Sequence, residues 1–98
     1  MPEEIAGSEG DLHRQVMIVN KRGLHARAAA KFVKTAGEFD ARISVHKGGN
    51  HVSGISIMGL MMLAASQDCH IDITASGPEA GAALAALVEL VEGRFDEE

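Results

Sequence analysis

The chain predicts an α+β fold of two layers, one antiparallel sheet carrying helices on a single face. Three observations lead there. Four segments show the period-two alternation of half-buried strands, and three show apolar stripes at helical spacing. Strands and helices follow one another as βαββαβα, and each half-polar strand needs one covered face while each striped helix needs a sheet to cover. With 98 residues, 46% hydrophobic and 23% charged, the chain is long enough for one such domain, and its composition suits a folded core better than disorder.

The elements read in order. Residues 1–13, MPEEIAGSEGDLH, hold four acids, two glycines and no Lys or Arg, and are expected to form a flexible acidic extension before a domain at 14–93. "RQVMIVN" predicts a strand closing at Asn20, with a turn at Lys21 to Gly23. Ala26, Ala29, Ala30, Val33 and Ala36 predict a helix over 26–36, ended by Gly37 in a left-handed cap. "ARISVHK", a "GGN" turn and "HVSG" make a hairpin. Residues 57–65, preceded by Ser56, predict a short capped helix, and "CHIDITA" a strand. The last helix opens near Pro78, aligns Leu84, Leu87, Val88 and Val91, and stops at Gly93, leaving an acidic tail over 94–98.

Composition also narrows function. A net charge of −5, with three Phe and no Trp or Tyr, leaves little for a nucleic acid to bind or stack on. Against that global sign, Lys21, Arg22, Arg27, Lys31 and Lys34 fall within residues 21–37, a stretch without Asp or Glu, which marks a docking surface for an anion or an acidic protein face. A single cysteine, Cys69, cannot form an internal disulfide. No segment approaches the roughly 18 apolar residues of a membrane span, and the N-terminus lacks a signal pattern, so a cytoplasmic protein without membrane contact is expected.

Inside the basic stretch, "GLHARAAAKFV" sets His25 where a helix should begin. Histidine is neither a preferred cap nor a strong helix former, so propensity does not account for it. A helix N-terminus offers unpaired N–H groups and a positive dipole end, an anion site. Positive surroundings favour the neutral, nucleophilic imidazole. A phosphoryl group on that ring would sit beside the N–H groups and Arg27, held by charge-assisted hydrogen bonds and transferable in line to a second nucleophile. The same geometry also suits an ordinary surface histidine.

"GLHARAAAKFV" followed by "ISIMGLMMLAA", in this element order, resembles the histidine-containing phosphocarrier (HPr) family of the bacterial phosphoenolpyruvate-dependent phosphotransferase system, including its nitrogen-regulatory branch. The resemblance runs from about Arg14 to Gly93. It implies an open-faced β-sandwich with sheet order 1-4-2-3, in which His25 is phosphorylated at Nδ1 by enzyme I and passes the group to a IIA-type acceptor. It further implies that Arg27, with the backbone of Ala26, stabilises the phosphoryl group. Ser56 matches the serine that HPr kinase/phosphorylase modifies in some bacteria. No cofactor or metal is implied, and a monomer is expected. Ala28 departs from the family pattern, which often has Pro; a first-turn position loses no helical hydrogen bond either way, so activity is expected to be kept.

The helix after Ser56 is apolar on every side, so it is either buried or exposes a patch. If Leu60, Leu63 and Ala64 face the sheet, Ile57, Met58 and Met61 face outward, and with Leu24, Arg27 and Lys34 they form the expected partner-binding rim. Methionine adapts to successive partners. Ser56 is first of all an N-cap. His46 and His51 could pair across the hairpin, without a third ligand at metal-binding spacing. Cys69 and His70, adjacent on a strand, point to opposite faces and form no dyad. The competing function is a regulatory interaction protein of the same fold, controlled at Ser56 without a phosphoryl relay; the pairing of His25 with Arg27 favours the carrier.

Overall fold

The computed structural model describes residues 11–97. The expected extension therefore lies outside the described residues over 1–10, whereas Leu12 and His13 pair as strand residues. The elements are β1 (Leu12–Met17), α1 (Ala26–Ala36), β2 (Arg42–Lys47), β3 (Asn50–Ser53), α2 (Ile57–Met62), β4 (His70–Ser76) and α3 (Ala80–Glu92), followed by one tight turn at Arg94–Asp96. The strand expected from Arg14 to Asn20 starts earlier and stops at Met17, because it pairs with β4 over that span, Leu12 opposite Ala75 and Met17 opposite His70.

The sheet has four strands in the order β1-β4-β2-β3, all neighbours antiparallel. Ile43 and Val45 of β2 and Ile71, Ile73 and Ala75 of β4 are buried on the helix side, while Ser44, His46, Asp72 and Thr74 occupy the other face. This is the α+β open-faced sandwich expected, with the 1-4-2-3 order.

The helices seal the covered face. Leu84, Leu87, Val88 and Val91 of α3 are all buried, as their spacing predicts. In α1 the buried residues are Ala28, Ala29, Phe32 and Ala36, so the inner face is turned from the expected alanine stripe. Phe32 decides this, since burying one large aromatic releases more water than burying Ala26 and Ala30 together. Gly37 follows α1 at φ −73°, right-handed rather than the left-handed cap expected; its N–H still closes on the Val33 carbonyl at 2.9 Å. α2 ends at Met62, and Ala64 turns out to solvent at φ +54°, so Ala65 takes the buried place expected of Ala64.

Candidate functional site

His25 is carried by a loop that is fastened from below. After β1, Ile18 donates to the Cys69 carbonyl at 2.8 Å and accepts from the Asp68 N–H at 2.7 Å, which extends the pairing with the chain entering β4. Asn20 is buried, and its Nδ2 donates to the Gly23 carbonyl at 2.9 Å, closing the turn. Gly23 adopts φ +66°, and a Cβ there would stand 2.5 Å from the Ala65 carbonyl oxygen. Only glycine allows that approach without strain. Leu24 then donates its N–H to the same Ala65 oxygen at 2.9 Å and sinks its side chain into the core at 5% exposure. Leu24 therefore does not belong to the expected partner rim: in this loop it is the anchor that fixes the residue after it.

That residue is His25, the N-cap of α1, with an extended backbone at φ −74°, ψ 178° and no side-chain capping bond. The first intrahelical bond runs from the Ala29 N–H to the His25 carbonyl at 2.8 Å. The N–H groups of Ala26, Arg27 and Ala28 precede it; Ala28 is buried, and those of the exposed Ala26 and Arg27 are the donors that an arriving anion would meet. The Ala28 side chain is fully buried, and its N–H lies outside the helical ladder, so alanine replaces proline without taking a bond from the helix.

The His25 ring makes no bond to its own helix. Its Nε2 meets Oε2 of Glu97, and Oε1 of Glu97 accepts from Asn20 Nδ2 at 3.0 Å. Burial pushes the Glu97 carboxyl up, but hydrogen bonds from His25 and Asn20, aided by the nearby Arg22 charge, outweigh it and hold Glu97 below the usual carboxylate range. Glu97 arrives on the turn Arg94–Asp96, whose three residues all have positive φ, at 61°, 54° and 62°. Left-handed backbone costs a non-glycine residue roughly 1–2 kcal/mol. Two contacts oppose that cost: Phe95 is fully buried in the core, and Lys31 Nζ donates to the Phe95 carbonyl at 2.6 Å. The segment expected as an acidic tail is thus, over Arg94–Glu97, folded back onto the site; burial of Phe95 is what draws it in.

Beside the ring, Asn20, Lys21, Arg22, Arg27, Lys31, Asp96 and Glu97 surround a cavity of about 380 Å³. Four of the five clustered basic residues meet there, while Lys34, exposed on the next turn of α1, borders a separate hollow with Glu38 and Asp96. Ala26 and Arg27 are exposed at the helix tip.

Ser56 caps α2 as expected, its Oγ accepting from the Gly59 N–H at 2.9 Å. Leu60 and Leu63 are buried, and Ile57 and Met61 stand 40% exposed with Met58 at 70%. Met62 on the same helix and Ile55 just before it are also exposed, at 76% and 64%, and escaped the sequence reading. His46 and His51 stack across β2 and β3 with ring centroids 3.9 Å apart, and among the described residues no group of three or more ligating side chains could hold a metal ion. Cys69 is half-buried, with its Sγ 3.4 Å from Ser66 Oγ. Nor is any helix among the described residues long and apolar enough to cross a membrane.

Comparison with known proteins sets this fold in a class, that of small phosphocarrier domains. Residues 12–93 match the family described as "PTS HPr component phosphorylation site". Phosphocarrier protein HPr of Neisseria meningitidis is 44% identical over 86 residues, covering 88% of this chain and 97% of that protein. Phosphocarrier protein NPr of Shewanella violacea is 46% identical, covering 88% and 94%. The crystal structure of HPr from Thermoanaerobacter tengcongensis superposes with a TM-score of 0.85 at 44% identity, covering 89% of this chain and 98% of that one. The chain belongs to the HPr family of phosphocarrier proteins of the phosphotransferase system.

Proposed function

We propose that His25 takes a phosphoryl group from phospho-enzyme I on Nδ1, the family's nitrogen, and passes it to a IIA-type acceptor. The observation that carries this reading is the N-cap whose side chain does not cap: His25 makes no bond to its own helix, and the exposed Ala26 and Arg27 begin a tip from which Arg27 lines a cavity with Lys21, Arg22 and Lys31. In the transfer, the Nδ1 lone pair forms a bond to phosphorus as the bond to the donor's leaving atom breaks. Charge on the equatorial oxygens falls where the helix donors and the Arg27 guanidinium can receive it. The chain contributes position and charge, with no metal or cofactor in the step.

The exposed face of α2, formed by Ile57, Met58 and Met61 with Ile55 and Met62, is the docking surface shared by donor and acceptor, and Arg27 and Lys34 add charge for an acidic partner. Phosphorylation of Ser56 by an HPr kinase/phosphorylase would place about two negative charges against that apolar face and weaken docking. Relatives named HPr and NPr match at similar identity, which supports a carrier step shared by both kinds of protein; we place that step in a cytoplasmic monomer, common to sugar uptake and nitrogen regulation.

The test is incubation with enzyme I and phosphoenolpyruvate followed by mass spectrometry. Wild type is expected to gain one acid-labile phosphate and His25→Ala none; equal labelling of both would remove His25 from the mechanism.

A further inference from the structure

We propose that Glu97 is a positioning residue for the phosphoryl transfer: its carboxylate takes the Nε2–H of His25, fixing the tautomer that leaves the Nδ1 lone pair free to attack. The proposal rests on His25 being the phosphoryl acceptor and adds a second residue to that site, from a segment beyond residues 12–93 that define the family match.

The geometry supports positioning in three ways. The contact engages Nε2, and Nδ1 lies across the ring from it, so the carboxylate holds the imidazole without occupying the nitrogen that reacts. Glu97 is itself oriented, because Asn20 Nδ2 reaches both its Oε1, at 3.0 Å, and the Gly23 carbonyl, at 2.9 Å. One buried amide thus ties the carboxylate to the loop that carries His25. The turn behind Glu97 is held in turn by the buried Phe95 ring and by Lys31 on α1, which bonds the Phe95 carbonyl at 2.6 Å. Three left-handed residues in sequence persist only where their surroundings hold them.

The chemistry follows from where the proton stays. An imidazole that donates Nε2–H to a carboxylate has its lone pair on Nδ1, the arrangement by which a buried carboxylate orients a catalytic histidine. When Nδ1 bonds to phosphorus and the donor's leaving atom departs with its electron pair, the ring becomes an imidazolium that retains the Nε2 proton. Glu97 then faces a full positive charge, which it stabilises. In the onward step the Nδ1–P bond breaks, its electron pair returns to the ring, and the neutral Nε2–H imidazole is restored. No proton has to enter or leave Nε2 in either direction.

Phosphoramidate separates this chemistry from partner docking, since it is a small donor whose P–N bond breaks with loss of ammonia. The experiment compares its rate of His25 labelling in wild type, Glu97→Ala, Glu97→Gln, Glu92→Ala and His25→Ala, with the ring tautomer read from long-range proton–nitrogen spectra of the unphosphorylated proteins. Wild type is expected to hold its proton on Nε2. Glu97→Ala should label about tenfold more slowly and show mixed tautomers, the loss of one hydrogen bond to a charged group. Glu97→Gln keeps only one acceptor oxygen for two donors and should fall between. Glu92→Ala removes an exposed carboxylate from α3 and should match wild type. Labelling of Glu97→Ala at the wild-type rate overturns the proposal, and faster labelling overturns it in favour of a tail that shields the ring. If His25→Ala is labelled as well as wild type, the acceptor assignment fails and the proposal fails with it; if only His25→Ala is unlabelled, the assignment stands alone.

Discussion

Two helix tips in this molecule begin from the same backbone chemistry and are finished differently. At α2 the Ser56 hydroxyl folds over its own helix and accepts the Gly59 N–H at 2.9 Å, so the tip is closed from within. At α1 the His25 side chain makes no such bond and leaves toward Glu97, so the tip donors stay open beside a basic cavity. A good cap spends the donors that an anion would otherwise bind. The poorer capping residue is therefore the one compatible with a phosphoryl site, and the better one fits a helix whose business is its apolar flank. The second tip accepts phosphate only through modification of the cap itself.

The comparison can be broken at several points. The largest expected effect is at the loop that holds the open tip in place. Gly23→Ala puts a Cβ against the Ala65 oxygen at a positive φ, and should cost about 2–4 kcal/mol in urea unfolding. Arg27→Ala leaves the fold intact and removes a guanidinium from the cavity, so phosphoryl acceptance from enzyme I should fall about tenfold or more, measured in single-turnover mixing. At the closed tip the order of effects reverses. Ser56→Ala should cost about 1 kcal/mol of stability with acceptance unchanged, whereas Ser56→Asp should keep stability and slow transfer from enzyme I. Unchanged transfer in Ser56→Asp would remove the regulatory reading of Ser56.

The smallest effect concerns pH. The folded Glu97 carboxyl lies below its usual value, so its contribution to stability is fully present above the unfolded pKa of about 4.3 and is lost as pH falls through the lower folded value. Amide exchange at Phe95 and Asp96 should therefore accelerate in that acid range before the sheet loosens, and Glu97→Gln should remove this acid dependence.

Much of this was legible in the residues. The helix beginning at His25, the Ser56 cap and the buried stripe of α3 follow from local patterns that packing did not override. The sheet order came from the family resemblance, since alternation alone does not say which strands are neighbours. What stayed hidden depended on distance or on a single large side chain. Glu97 meets His25 across a sequence separation of 72, and the turn that brings it there uses Arg94, Phe95 and Asp96 in a backbone region that propensity assigns to glycine. Leu24 looks like an exposed neighbour of a surface histidine until the Ala65 contact shows why it is buried. Phe32 turned the inner face of α1 because its area outweighs that of the alanines.

The central claim is that the donors of the α1 tip are held open for the phosphate that His25 receives. Backbone proton–nitrogen spectra recorded before and after phosphorylation by enzyme I and phosphoenolpyruvate test it most directly. The account predicts large downfield shifts for the Ala26 and Arg27 amides, a phosphoryl group on Nδ1 of His25, and an unmoved Gly59 amide at the closed tip. A phosphorylated protein whose Ala26 and Arg27 amides do not move would contradict it.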